Sequence, residues 1–73
     1  MKQQRLTILL ITAFLLGNYR GQIALWKTGI HEPLEVFPYP VSSLPVPDQN
    51  ALNRGIYLED EQALHAILED YLS

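Results

Sequence analysis

Three consecutive carboxylates, Glu59, Asp60 and Glu61, are the densest group of chemistry-bearing side chains in this sequence. Carboxylates can hold calcium, but a calcium loop needs oxygens at alternating positions around a glycine. This run has neither. The same residues suit a helix start, with Glu59 or Asp60 as the N-cap and the remaining charge at the positive end of the helix dipole. His31 and His65 each stand alone, whereas a zinc site needs three or four convergent ligands. Ser42 and Ser43 lack the setting of an activated nucleophile, and no glycine-rich phosphate loop is present. There is no cysteine, so thiolate ligands and disulfides are both excluded. The expectation is a protein with no catalytic residue, no cofactor and no metal, and hence not an enzyme.

With no reacting group to position, the informative stretch is Ala51–Leu72. It reads as a helix end, a glycine stop, a short extended piece, an acidic cap and an amphipathic helix. The first helix spans about Asp48–Arg54, with Pro47 in a first-turn position where no N–H is needed. Gly55 follows as the stop, and Ile56 can fold back onto Ala51. Ile56–Leu58 is long enough for one short strand. From Glu61 onward Leu64, Ile67, Leu68, Tyr71 and Leu72 recur at helical spacing, a one-sided stripe that leaves His65, Glu69 and Asp70 outside. Burying such side chains contributes about 1.5–3 kcal/mol each, so the stripe is expected to be the largest single share of the core.

Two strands precede these helices. Gly21–Lys27 has Ile23 and Leu25 on one face and Ala24 and Trp26 on the other, the pattern of a central strand. Thr28–Pro33 is a turn punctuated by Gly29 and Pro33. Leu34–Val41 carries Pro38 and Pro40 two apart, so both missing N–H groups fall on one side. It therefore reads as an edge strand that pairs through its other side.

The front of the chain is basic and then apolar. Met1–Arg5 precedes Leu6–Leu16, an 11-residue run, too short as a helix at about 17 Å to cross a hydrocarbon core of about 30 Å. It fits a signal-like or membrane-anchor segment, residues 1–18, ahead of a folded domain, residues 19–73. The other reading is an apolar strand or helix packed on the domain itself or on a second copy. Charge follows the same division. Residues 1–27 hold four cations and no acid, and residues 28–73 hold one cation against eight acids, a balance of −7. Such an acidic domain would repel phosphates, so a nucleic-acid partner is not expected.

The strand around Ile23-Ala24-Leu25, the Ser42-Ser43-Leu44-Pro45 turn, Leu52-Asn53-Arg54-Gly55-Ile56, and Glu61 with Leu64 and Leu68 together resemble the C-terminal domain of the bypass-of-forespore C (BofC) family of spore-forming bacteria. The likeness covers about residues 19–73. It implies a small α+β domain, exported into the forespore intermembrane space, that restrains signalling leading to sigma-factor activation. It brings no catalytic motif.

The expected architecture is thus α+β. A small two- to three-stranded antiparallel sheet is packed by two C-terminal helices and preceded by the apolar segment. The expected function is contact with a protein partner near a membrane reached through Leu6–Leu16, with self-association open to a chain this small. The structural and interaction candidates are Trp26, Tyr39, Gly55, Ile56 and Tyr57. They mark the strand faces, the hinge and the free sheet edge.

Overall fold

A computed structural model of the chain describes residues 13–72. Its first element is a hairpin. Strand β1, Phe14–Tyr19, pairs antiparallel with strand β2, Gln22–Lys27, in continuous register from Phe14 opposite Lys27 to Tyr19 opposite Gln22. Arg20 and Gly21 make the two-residue turn, and both have positive φ, 53° and 91°. That backbone matches the twist of the flanking strands. The Gly21 N–H donates to the Asn18 side-chain oxygen at 2.7 Å and fastens the turn.

β1 corrects the boundary expected at Tyr19. The folded part includes Ala13–Asn18, and Leu16 is fully buried between Leu25 on β2 and Ile56 on the far strand. The end of the apolar run is therefore sheet. The misreading has a physical cause: a continuous apolar run has no period, so a strand buried on both faces and an anchor look alike. The earlier part of the expected anchor, Leu6–Thr12, lies outside the described residues.

Strand β3, Glu35–Pro40, pairs antiparallel with β2 at the sheet's edge, where its prolines were expected to place it. The Val41 N–H donates to the Gly21 carbonyl at 2.8 Å, on the side that keeps its donors. A single turn of 3-10 helix, Val41–Ser43, leads into helix α1, Val46–Arg54. Pro47 lies in the first turn of α1 and Gly55 ends it, its N–H donating to the Ala51 and Leu52 carbonyls. The short strand β4, Ile56–Leu58, then pairs antiparallel with β1. The sheet has four strands in the order β3-β2-β1-β4, one or two more than expected, because β1 joins β2 to β4.

Helix α2, Glu61–Leu72, closes the chain. Asp60 caps it, its carboxylate accepting the Ala63 N–H at 2.9 Å. The stripe faces inward as expected, but its share of the core is smaller. Only Leu64 is buried, while Ile67, Leu68, Tyr71 and Leu72 pack half-exposed against the cluster. The most deeply buried side chains are Leu16, Ile23 and Leu52, from β1, β2 and α1. A helix at the margin of so small a sheet has no second layer to cover its outer flank, so its stripe cannot be fully enclosed.

Tyr71 links the two helices. Its burial, and then the charge and hydrogen bond of Asp48, raise the phenol above its ordinary 10.0. A raised pKa means the folded state holds the phenolic proton more tightly than the unfolded chain does. The stabilisation is therefore intact below 10.0 and is lost as pH rises through the folded value. Melting followed at about pH 8 and about pH 10.5 should show a smaller alkaline decline for Tyr71→Phe than for the parent chain.

Candidate functional site

Trp26 and its neighbours form the site. Alternation along β2 turns Trp26 away from Ile23 and Leu25. Its partner across β1 is Leu15, and the partner of Leu15 on β4 is Tyr57. Leu15, Trp26 and Tyr57 therefore share one sheet face, with Tyr57 60% exposed. Tyr19 stands edge-on to Trp26, ring centroids 6.2 Å apart. The Arg20 guanidinium lies 5.1 Å from the centre of the Tyr19 ring, within cation–π reach. The indole N–H donates to the His31 carbonyl at 3.1 Å and holds the β2–β3 loop beside the ring.

A small-residue pair makes room here. Gly17 stands opposite Ala24. A Cβ on Gly17 would lie 3.1 Å from Trp26 Cζ3 and 3.4 Å from the Leu52 carbonyl oxygen. The missing side chain lets both the indole and the end of α1 come close to β1, the usual meaning of a glycine inside a strand. Gly17→Ala should displace the indole. A shifted emission maximum and a stability loss of about 1–3 kcal/mol are expected by fluorescence-monitored denaturation.

The result is an open groove of about 420 Å³. Leu15, Gly17 and Trp26 line it from the sheet, Thr28–His31 from the loop and Leu52–Gly55 from the end of α1. Lys27 and Arg54 are also among its lining residues, and none of the eight acids lines it. Asn18 donates to the Asn53 side-chain oxygen at 2.8 Å across the groove's end. Thr28 Oγ1 donates to the Ala13 carbonyl at 3.2 Å, so it is occupied in joining the loop to β1. This arrangement can stack an apolar group on the indole, with no carboxylate beside it. Among the described residues no group of three or more His, Asp or Glu is placed to hold a metal.

Of the five candidates read from sequence, the structure brings Trp26 and Gly55 into the groove and sets Tyr57 next to Leu15 on the same face. Ile56 is half-buried and packs against the core cluster, a structural place. Tyr39 is exposed on β3 and does not line the groove. Leu15, Gly17, Lys27, His31 and Arg54 were not singled out as a site. The available signal was that Lys27 and Arg54 are two of only three cations after residue 12. Among the described residues no helix is long and apolar enough to cross a membrane. No protein-family model, curated protein or solved structure matches the chain.

Proposed function

We propose that this chain is a small non-enzymatic interaction domain that acts by docking a protein partner on its Trp26 face. The groove carries the reading: the single tryptophan lines an open space of about 420 Å³ that no acid lines, and the exposed Tyr57 stands on the same sheet face. Its side chains suit holding a surface better than breaking a bond, since His31 and Thr28 have no paired nucleophile or carboxylate in the groove. We further propose that the basic start and the remaining apolar residues Leu6–Thr12 keep the domain at a membrane. A sporulation role rests on the BofC-like residues Leu52–Ile56, Leu64 and Leu68.

Two measurements test this reading in cells producing the full chain. A photoreactive aromatic residue at position 57 should give a discrete protein adduct, while the same residue at position 39 should not. Adducts of equal yield at both positions, or none at 57, would contradict docking on this face. Fractionation should place the chain with membranes in a detergent-extractable form. A fully soluble chain would end the membrane proposal.

A second reading is favoured by the burial of Leu16 at 0% exposure. In it the apolar front belongs wholly to the fold, and the chain is a structural or self-associating subunit. Sedimentation of the purified full chain as a concentration-dependent dimer would support it.

A further inference from the structure

We infer that two copies of this chain join by pairing β4 antiparallel with β4 of the second copy, centred on Tyr57. This rests on the self-associating subunit described above and specifies its contact. The two edges of the sheet are unlike. β3 lacks the N–H donors of Pro38 and Pro40, which guards that edge against a further strand. β4 contains no proline, and β1 is its one neighbour in the sheet. The backbone groups on its far side therefore face no strand among the described residues, and an extended chain can pair with them. Three residues are few, and a short edge strand is itself a guard. The contact needs a further surface, and α2 provides one. It packs against β4, and Ile67, Leu68, Tyr71 and Leu72 on it are only partly buried. A two-fold axis through the β4 pair, perpendicular to the sheet, sets the two α2 helices on the same face of the joined sheet. There the outer flank of each stripe can cover the other.

The order of charges around β4 selects a second copy and sets its direction. Arg54 stands three residues before Tyr57, and Glu59 and Asp60 stand two and three after it. All three charged residues are exposed. An antiparallel copy centred on Tyr57 brings Arg54 of each chain to the end of β4 where Glu59 and Asp60 of the other stand. A parallel copy would set acids beside acids. Opposite charges across a strand pair stabilise it and like charges oppose it. Asp60 already caps α2 through the Ala63 N–H, so Glu59 is the acid left to pair. The net charge of −3 on each copy opposes association. Salt screens that long-range repulsion more than it screens two pairs in contact.

Charge reversal in the purified full chain tests this by sedimentation. The parent should form a concentration-dependent dimer. Arg54→Glu sets two acids together at both ends of the contact, and Glu59→Arg sets two cations together. Each variant alone should dimerise at least about tenfold more weakly than the parent. Mixing the two should restore association, because every pair across the contact is then opposite again, and this recovery also shows that both variants are folded. A second measurement reads the register. The chain has no cysteine. Tyr57→Cys should oxidise to a disulfide-linked dimer, since directly opposed residues of an antiparallel pair lie about 5 Å apart at Cα, within disulfide reach. Tyr39→Cys, on the guarded edge, should not. A parent that stays monomeric at every concentration would overturn both the contact and the self-associating subunit. A dimer that survives both reversals, or variants that regain nothing on mixing, would overturn the β4 contact and leave self-association standing. Equal cross-linking from positions 39 and 57 would overturn the contact in the same way.

Discussion

Gly55→Val should lower the melting temperature by on the order of 10–20 °C, the largest single-residue effect expected outside the core. Two causes act together. Gly55 has φ +91°, where a β-branched residue is strained. Its would-be Cβ also lies 3.3 Å from Leu15 Cδ1, so added methyls would push on the strand that lines the groove. Together they should cost about 2–3 kcal/mol. Gly21 separates the two causes. It has the same φ of +91° but no atom within 4 Å of a built Cβ. Gly21→Ala should therefore show backbone strain alone, about 1 kcal/mol. Circular dichroism melts of both variants make the comparison. A Gly55→Val melt no lower than that of Gly21→Ala would remove the crowding at Leu15 from the account.

Removing residues 1–18 should abolish the fold, and removing residues 1–12 should not. The first truncation takes all but the last residue of β1, and with it the only strand that joins β2 to β4 among the described residues. It also takes Leu16, one of the most deeply buried side chains. Leu→Ala at such a site costs about 2–5 kcal/mol, and a domain of this size has roughly 3–5 kcal/mol in all. The second truncation leaves Ala13, whose carbonyl accepts hydrogen bonds from the Thr28 N–H and Oγ1. Dispersed amide resonances in the shorter truncation and collapsed ones in the longer are the expected pair. A folded chain lacking residues 1–18 would show that β1 is dispensable.

Much of this architecture can be read from residue patterns, because local rules and tertiary needs coincide there. The prolines at 38 and 40 can sit only on an edge, and β3 is an edge. Asp60 and the leucine spacing after it specify a capped amphipathic helix, and α2 begins where they say. β1 was hidden because apolar residues on both faces erase the alternation that marks a strand. The Arg20-Gly21 turn that should have revealed its hairpin is also a weaker signal than Asn-Gly or Asp-Gly. The groove was less legible still. It joins residues 15–17, 26–31 and 52–55, which meet only through strand register and the return of α1 across β1. Trp26 and Gly55 could be named in advance as unusual residues. That Lys27 and Arg54 would stand in one groove could not, since nothing local relates them.

Both the sheet and the groove depend on β1, so its amides give the most direct test. Hydrogen exchange of the intact chain, followed residue by residue, should find Phe14, Leu15 and Leu16 among the slowest amide positions, comparable to Ile23–Leu25 of β2, because strands flank them on both sides. Exchange of residues 14–16 at the rate of an exposed segment, with β2 still protected, would contradict a central β1 and the groove built on it.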